Sequence, residues 1–305
     1  MNSKKTNKNN KVFKSGFVSI IGMPNVGKST LLNTIVGQKI AIISDKPQTT
    51  RNKILAIYST DEEQIIFTDT PGIHKPHNKL GQYMVNVANE SIGDTDVLLF
   101  VVDASRRIQD MEREIAKNIS KAGVPCILVL NKVDLMKKEE LLPVIADYSS
   151  MCEFASIVPI SAKTNDGVDI LLHDIEDYLE EGPMFYDDDM VTDQPEKQIA
   201  AEIIREKLLW LLDKEVPHGI AIEITKMQEK PKITNIYATI YCEKATHKGI
   251  VIGKNGDMLK KIGTMARGDI EKMLEKKVYL ELWVKVKSDW RNSDFLIKNF
   301  GYTQD

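Results

Sequence analysis

Short apolar runs alternate with amphipathic runs along the first 180 residues of the chain. The strand-like runs are 17–21, 53–58, 64–68, 97–102, 126–130 and 156–160. Helical spacing of apolar residues follows at 29–36, 80–88, 109–122 and 168–179, and a charged helix is expected after residue 134. Strands that alternate with helices predict a mostly parallel α/β sheet with helices on both faces. Because only residues 59–63 separate the second and third runs, we predict a hairpin and one antiparallel edge strand.

A different order of elements begins after residue 196. Apolar spacing predicts a helix that ends before Pro217, and strands at 220–226 and 233–243. The run Ile250–Ile252 leads into a glycine loop between helices; a helix with Leu259 and Ile262 follows, then another at about 266–275 and a strand at 278–287. The predicted order is α-β-β-α-α-β.

The stretch between these two patterns has little periodicity. It contains Gly182, Pro183, three consecutive aspartates and Pro195. We therefore predict a flexible tail at 1–14, a first domain at 15–181, a linker at 182–196 and a second domain at 197–305.

Composition excludes several classes of protein. The chain has 305 residues and 42% hydrophobic residues, enough for two cores, and no apolar run approaches a membrane span. The basic, polar N-terminus does not resemble a secretory signal. Cys126, Cys152 and Cys242 are far apart, which indicates free thiols in a reducing compartment. His74 and His77 have no cysteine nearby, so we expect no metal site there.

The charge is unevenly distributed. The formal net charge is −3, but residues 244–291 carry twelve Lys/Arg and six Asp/Glu, a local +6 that leaves −9 for the remainder. A basic segment near the C-terminus of an acidic chain indicates a polyanionic partner.

A glycine loop connects the first strand to the first helix. The stretch GMPNVGKS, from Gly22 to Ser29, has the spacing of a phosphate-binding loop, in which backbone N–H groups face phosphate oxygens. We expect Lys28 to reach the terminal phosphates and Ser29 to hold Mg²⁺. The predicted phosphate contacts are Gly22, Asn25, Val26, Gly27, Lys28, Ser29 and Thr30.

Three further motifs follow directly after predicted strands. They are Asp69-Thr-Pro-Gly72, Asn131-Lys-Val-Asp134 and Ser161-Ala-Lys163. Ligands bind beyond the carboxyl ends of strands in open α/β sheets, so these motifs should converge on one nucleotide. We expect Asp69 to hold Mg²⁺ through water and the Gly72 N–H to meet the γ-phosphate. Thr50, in a polar loop, should close over Mg²⁺; the alternative is an ordinary turn.

The motif around Asp134 predicts the choice of base. One carboxylate can accept hydrogen bonds from both N1–H and N2–H₂ of guanine, whereas adenine would leave it unpaired, so we expect GTP to be preferred. Asn131 should bond the base edge and hold the loop, and the Lys132 stem should lie over the base. The Ala162 N–H should donate to O6, with Ser161 steadying Asp134. Lys163 completes the predicted nucleotide contacts.

The second domain carries a Gly-x-x-Gly loop with a lysine. Such a loop between two helices, as at Gly253–Gly256, clamps a nucleic-acid backbone in KH domains. We predict RNA contacts at Ile252, Gly253, Lys254, Asn255, Gly256, Lys260 and Lys261. Trp283 lies on the strand face opposite the predicted core; it either contacts RNA or packs at a domain interface, and we favour the interface.

Taken together, the motifs resemble the Era family of bacterial GTPases. The resemblance rests on GMPNVGKS, PQTTR, DTPG, NKVD, SAK, DMVTDQPE, EVPHGIAIEI and HKGIVIGKNGDMLKKIG in this order. It implies an α/β P-loop GTPase domain followed by an α+β type II KH domain, with GTP or GDP and Mg²⁺ as ligands. It further implies binding near the 3′ end of 16S ribosomal RNA, a role in 30S subunit maturation, and a cytoplasmic location with peripheral membrane association. We expect a monomer.

The residue after Gly72 is Ile73, where related switches carry a water-orienting glutamine. No side chain in the sequence obviously replaces it, so we expect slow hydrolysis, with Lys28, Thr50, Gly72 and Asn25 in the catalytic set. The Asn25 amide oxygen either helps seat K⁺ beside the phosphates or only shapes the turn. Two rival functions are a metabolic ATPase or kinase, and an RNA-binding module with a structural guanine nucleotide.

Overall fold

The computed structural model describes residues 12–93 and 95–302. Most of the predicted tail, residues 1–11, lies outside the described part of the chain. The first strand begins at Lys14, one residue before the predicted start of the first domain.

One mixed sheet forms the centre of the first domain. Its strands are β1 (Lys14–Ile21), β2 (Ile54–Ser59), β3 (Glu63–Asp69), β4 (Val97–Asp103), β5 (Cys126–Asn131), β6 (Ser156–Pro159) and β7 (Glu180–Glu181). The order is β2-β3-β1-β4-β5-β6, and β7 pairs with β1. The pairs from β3 to β6 are parallel, while the β2–β3 hairpin and the β1–β7 pair are antiparallel. This arrangement confirms the predicted sheet and its antiparallel edge strand.

Helices cover both faces of this sheet. They are α1 (Lys28–Val36), α2 (Lys79–Glu90), α3 (Asp110–Ala122), α4 (Leu141–Ser149) and α5 (Val168–Glu176). Every residue of the central strand β4 is buried, because hydrophobic clusters lie on both of its faces. The helix predicted after residue 134 does not begin with the charged residues. Lys138–Glu140 form a short 3₁₀ turn, and the α-helix begins at the apolar Leu141.

The segment predicted as the linker lies along the sheet of the first domain. The Val191 carbonyl accepts from the Ile57 N–H of β2 at 3.0 Å. The Gln64 side chain bonds the backbone of residues 185 and 186, and the Phe17 and Phe185 ring centroids are 5.1 Å apart. These contacts lead the chain to the start of the second domain.

Over its described residues, the second domain packs three helices on one face of a three-stranded sheet, and its C-terminal helix lies against the other face. Its elements are α6 (Glu196–Leu211), β8 (Ile220–Glu229), β9 (Ile233–Cys242), α7 (Ala245–Ile252), α8 (Asp257–Leu274), β10 (Lys277–Val286) and α9 (Asp294–Asn299). The sheet order is β10-β9-β8, with β10 parallel and β8 antiparallel to β9. Up to β10 the elements follow the order α-β-β-α-α-β, but with different helices from those predicted. The two helices predicted after the glycine loop are one helix, α8, and the helix before the loop is α7, where only the run Ile250–Ile252 was noted.

An aromatic cluster joins the two domains. Leu80 and Met84 of α2 are fully buried against residues of the second domain, namely Ala221, Tyr241, Trp290, Ile297 and Tyr302. The interface therefore has a hydrophobic centre, contributed by α2 on one side and by the sheet and C-terminal segment on the other.

Trp283 does not pack at this interface. Its side chain is 59% exposed, and its Nε1–H donates to Glu281 Oε1 at 2.9 Å. The prediction of interface packing was wrong, because the sheet residues in the interface, Ala221 and Tyr241, belong to β8 and β9, whereas Trp283 is on β10. None of the helices in the described ranges combines the length and hydropathy needed to cross a bilayer.

Candidate nucleotide site and RNA interface

The glycine loop after β1 can be formed only by glycine at two positions. Gly22 and Gly27 have φ of 151° and 104°. A Cβ at Gly22 would lie 2.3 Å from the Val101 carbonyl oxygen, and one at Gly27 would lie 2.2 Å from Asn131 Nδ2. The loop backbone therefore passes close to Val101 of β4 and to Asn131 of β5. It leads directly into α1 at Lys28.

Lys28 is buried without a carboxylate partner at ion-pair distance in the described part of the chain. Its Nζ donates to the carbonyls of Gly22 and Met23, at 3.1 and 3.0 Å. Burial lowers the Lys28 pKa to about 8, and the charge of Asp69 opposes this shift. Burying an ammonium group with only carbonyl oxygens as partners is unfavourable, so Lys28 would be stabilised by a bound anion.

The three predicted Mg²⁺ ligands meet in one place. Ser29 Oγ donates to Asp69 Oδ2 at 2.6 Å and lies 2.9 Å from Thr50 Oγ1. Thr50 Oγ1 is also 3.4 Å from Asp69 Oδ2. Burial raises the Asp69 pKa, against the charge of Lys28 and these hydrogen bonds. Asp69 Oδ1 is buried and has no hydrogen-bond partner, which fits a carboxylate whose missing partner is a hydrated cation.

Gly72 lies against the glycine loop. A Cβ there would be 2.6 Å from Pro24 N, and the following Ile73 N–H donates to the Gly22 carbonyl at 3.1 Å. Gly72 therefore lines the cavity beside the glycine loop, and the contact of its N–H with the γ-phosphate stays a prediction.

The predicted base-reading residues also converge, beyond β5 and β6. Ser161 Oγ donates to Asp134 Oδ1 at 2.7 Å, as predicted. The Asn131 side chain donates to the Val26 carbonyl at 2.8 Å and accepts from the Ala162 N–H at 3.0 Å. Asn131 therefore holds the loop, and because the Ala162 N–H faces Asn131 here, its contact with O6 stays a prediction.

The remaining predicted contacts surround this group. Lys132 Nζ donates to the Asn25 carbonyl and to Asp103 Oδ2, each at 2.7 Å. Val26 is buried in the core, Thr30 is half-buried in the first turn of α1, and Lys163 is exposed.

A cavity of about 300 Å³ lies between the glycine loop and the segment that precedes β2. Sequence reasoning selected only Thr50 from that segment. The cavity is also lined by Ile42, Ile43, Ser44, Asp45, Gln48 and Thr49. Gln48 and Thr49 belong to the PQTTR stretch, but no nucleotide contact was predicted for any of these six residues, and only their position in the folded chain places them at the cavity.

The Gly-x-x-Gly loop joins α7 to α8. Gly253, Asn255 and Gly256 have φ of 74°, 54° and 84°. A Cβ at Gly253 would lie 2.6 Å from Met258 Cβ, so this turn requires glycine. Lys254 and Asn255 are exposed at its tip, with Ile252 half-buried behind them.

Two further lysines follow the loop on α8. Lys260 and Lys261 are exposed, and in residues 12–93 and 95–302 neither they nor Lys254 form an ion pair with a carboxylate. The predicted RNA contacts therefore combine three exposed lysines with an open backbone turn.

Comparison with known proteins supports the predicted type of both domains. The family model described as "50S ribosome-binding GTPase" matches residues 17–132, and the model described as "KH domain" matches residues 215–291. GTPase Era of Ruminiclostridium cellulolyticum is 57% identical over 291 residues, covering 95% of this chain and 98% of that protein. GTPase Era of Clostridioides difficile is 54% identical over 294 residues, covering 95% and 99%. The chain belongs to the Era family of GTPases.

Two solved Era structures share the fold. One is an Aquifex aeolicus Era variant bound to GDP and AlF₄⁻; the other is Era with MgGDPNP and nucleotides 1506–1542 of 16S ribosomal RNA. Each is 42% identical, with a TM-score of 0.93 over 96% of this chain and 100% of that one. Because the match spans both domains, the arrangement of the two domains is shared. The Era family binds GTP or GDP with Mg²⁺, so the metabolic ATPase alternative is excluded.

Hydrolysis is expected to be faster in K⁺ than in Na⁺. The Asn25 backbone has φ of 64°, and its side-chain nitrogen donates to the Asp45 carbonyl, which orients the amide oxygen away from Asp45. That oxygen can bind a monovalent cation whose charge replaces an arginine finger. The measurement is turnover in matched KCl and NaCl. Equal rates would leave Asn25 with only a role in shaping the turn.

Proposed function

We propose that this protein is a GTP-hydrolysing switch whose nucleotide state controls its binding to RNA near the 3′ end of 16S ribosomal RNA. This activity serves the assembly and maturation of the 30S subunit. One observation carries the proposal: adjacent residues, Thr50 and Arg51, enter the nucleotide site and the second domain, respectively.

Arg51 forms a buried polar contact between the domains. Its side chain is 1% exposed. Nη1 donates to the Ile220 carbonyl at 2.7 Å and to Tyr302 Oη at 3.1 Å, and Nη2 donates to the His218 carbonyl at 3.0 Å. The guanidinium also lies 5.8 Å from the Trp290 ring centroid. Because Arg51 is adjacent to Thr50, a movement of Thr50 is transmitted through Arg51 to the second domain.

Helix α6 contacts the same segment from the other side. Arg205, also 1% exposed, donates to the carbonyls of Gln48 and Thr49. The buried Glu206 accepts from Lys39 Nζ at 2.6 Å and from the Ile43 N–H at 3.1 Å. The loop that carries Thr50 is thus held by the nucleotide site at one point and by α6 along its length.

The nucleotide contacts have assigned roles in this proposal. The backbone from Gly22 to Thr30 and the Lys28 ammonium hold the phosphates, and Asp134 reads the base. Ser29, Thr50 and Asp69 hold Mg²⁺, which neutralises charge on the β- and γ-phosphates when bound. With the γ-phosphate present, Thr50 stays in place and the domain arrangement persists; its loss frees Thr50 and loosens Arg51. Ile252 to Gly256, Lys260 and Lys261 hold the RNA backbone.

Support for the RNA target comes from the Era relative. That protein was solved with MgGDPNP together with nucleotides 1506–1542 of 16S ribosomal RNA. The present chain has the same domain arrangement and keeps an open Gly-x-x-Gly turn beside unpaired lysines. The GTP state is therefore proposed to bind this RNA more tightly than the GDP state.

Replacing Arg51 with methionine should uncouple the two sites. We expect wild type to bind an RNA equivalent to nucleotides 1506–1542 about 10-fold more tightly with GDPNP than with GDP, a typical size for coupling between sites. In Arg51→Met this ratio should fall towards one, with nucleotide affinity within about threefold of wild type. The measurement is RNA titration in each nucleotide state.

Arg113→Met, at an exposed position of α3, is the matched control and should keep the wild-type ratio. Circular dichroism establishes that Arg51→Met is folded, and Arg205→Met gives a second variant if it is not. An unchanged ratio in a folded Arg51→Met protein contradicts the coupling route. Absence of RNA binding by wild type in either state contradicts the proposed function itself.

The domain limits and cellular location are part of the same proposal. We keep a tail at 1–14, a GTPase domain at 15–181, a linker at 182–196 and a KH domain at 197–305; the family matches and the start of α6 at Glu196 support this division. A cytoplasmic location with peripheral membrane association and a monomeric state rest on the family resemblance. The free Cys126, Cys152 and Cys242 agree with a reducing compartment.

A further inference from the structure

The cavity between the glycine loop and the segment that precedes β2 contains a glutamine for which the sequence predicted no role. Gln48 lines the cavity together with Lys28, Thr50 and Gly72. Its backbone has φ of 61°, in the left-handed region that residues other than glycine seldom adopt. This conformation places a carboxamide group beside the phosphate site, although the usual glutamine position after Gly72 is occupied by Ile73.

His74 determines how this carboxamide group is oriented. His74 Nδ1 lies 2.8 Å from the Gly72 carbonyl oxygen, which can only accept, so Nδ1 carries the proton. In the neutral ring Nε2 is then an acceptor, and it lies 3.2 Å from Gln48 Nε2. The amide nitrogen of Gln48 therefore donates to His74. The amide oxygen points to the other side and accepts no hydrogen bond from the described residues.

The backbone on both sides of this pair is held firmly. Arg205 of α6 donates to the carbonyls of Gln48 and Thr49, and Thr49 Oγ1 donates to the Lys46 carbonyl at 2.6 Å. On the His74 side, the Ile73 N–H is bound to Gly22 of the phosphate loop. A side chain positioned by both the phosphate loop and the second domain is preorganised for a task at the γ-phosphate.

We propose that Gln48 orients the attacking water during GTP hydrolysis and that His74 is the positioning residue that holds Gln48. The Gln48 amide oxygen accepts a hydrogen bond from the water. The water oxygen forms a bond to the γ-phosphorus, the bond from that phosphorus to the β–γ bridging oxygen breaks, and GDP leaves with the electron pair. The water proton passes to a γ-phosphate oxygen. This inference rests on the GTPase activity of the family and adds to it the residue that replaces the missing glutamine.

Single-turnover hydrolysis by full-length Gln48→Ala tests the proposal. The rate should fall about 10- to 100-fold, while affinities for GDP and GDPNP change by less than about twofold. Formation of the complex with GDP and AlF₄⁻, measured by titration, should weaken strongly, because that complex mimics the geometry in which water is oriented. If Gln48 only shaped the loop, its loss would change the GDPNP affinity together with the hydrolysis rate and the formation of the AlF₄⁻ complex.

Variants of His74 test the positioning role. His74→Phe keeps a ring but has no acceptor, and it should slow hydrolysis in the same way as Gln48→Ala. His74→Gln restores a donor and an acceptor and should recover most of the rate. The matched control is Gln82→Ala, an exposed glutamine of α2 that donates to Asn86 and should have the wild-type rate.

Three results would overturn the inference. They are a Gln48→Ala rate within twofold of wild type, a rate loss matched by an equal loss of GDPNP affinity, and a His74→Gln variant as slow as His74→Phe. If wild type itself does not turn over GTP, the enzyme activity fails rather than the assignment of Gln48, so the two failures are distinguishable.

Discussion

Replacing Asp134 with asparagine is expected to change the base preference from guanine towards xanthine. In wild type the carboxylate is exposed at the base end of the site and is oriented by the Ser161 hydroxyl, 2.7 Å from Oδ1. An amide at this position offers a donor to the C2 carbonyl of xanthine and can no longer accept from both N1–H and N2–H₂ of guanine.

The expected size of this effect is large. Sites built to hydrogen-bond a particular group discriminate strongly against an analogue that leaves their polar atoms unpaired, so GTP affinity should fall by roughly 100-fold or more. XTP affinity should rise in the same variant. Competition titrations of GTP and XTP against a fluorescent nucleotide measure both changes.

Asp147→Asn is the control, because it makes the same chemical change at an exposed position of α4. It should keep the wild-type preference. If Asp134→Asn still prefers GTP over XTP to the same degree as wild type, Asp134 does not read the base.

The double substitution Lys254→Asp with Asn255→Asp should abolish RNA binding. Both residues are exposed at the tip of the loop between α7 and α8, where the backbone must lie against phosphates. Two carboxylates there repel the RNA backbone, and the Lys254 change alone alters the local charge by two units. The fold should survive, since Gly253 and Gly256 are kept and aspartate tolerates the left-handed conformation that Asn255 adopts.

RNA affinity of the variant should fall by at least about 100-fold at low salt, across RNA sequences, because phosphate contacts position the RNA and carry little sequence information. Basal GTP hydrolysis should be nearly unchanged, since the nucleotide contacts are in the first domain. RNA titration and GTP turnover on one preparation test both expectations. Affinity of wild type should also fall as salt rises.

Lys117→Asp with Asn118→Asp is a close control. It makes the same two substitutions in the same dipeptide, on the exposed face of α3, and changes the net charge equally. This control should bind RNA as wild type does. A folded loop variant that binds RNA as tightly as the α3 control would refute the assignment of the loop.

Much of the fold follows from local patterns in the sequence. The run 97–102 is apolar throughout and short, which predicted a strand buried on both faces, and β4 is buried along its whole length. The phosphate loop was predictable because its spacing, its two glycines and its flanking strand and helix act over a few residues. The same reasoning located the Gly-x-x-Gly turn.

Tertiary contacts overrode local preference at several positions. A break after Ile262 was predicted, but α8 continues through Gly263, where a Cβ would lie 3.3 Å from Leu282 Cδ1. Glycine here allows the helix to approach β10 closely, and that packing offsets its poor helix propensity. Trp283 stayed exposed because the interface forms around Trp290, which packs with α2 and with residues of β8 and β9, and not around β10.

The sequence by itself determined the two domain types, the order of their elements and the motifs that end the strands, because each depends on residues only a few positions apart. Only the tertiary structure decided how the segment from Lys39 to Arg51 is used. This segment has no periodicity of its own, and its conformation is set by distant partners: Asp69 near one end, and Arg205, Glu206 and Tyr302 of the second domain. The pairing of Gln48 with His74 depends on those contacts, so no local pattern in the sequence could predict it.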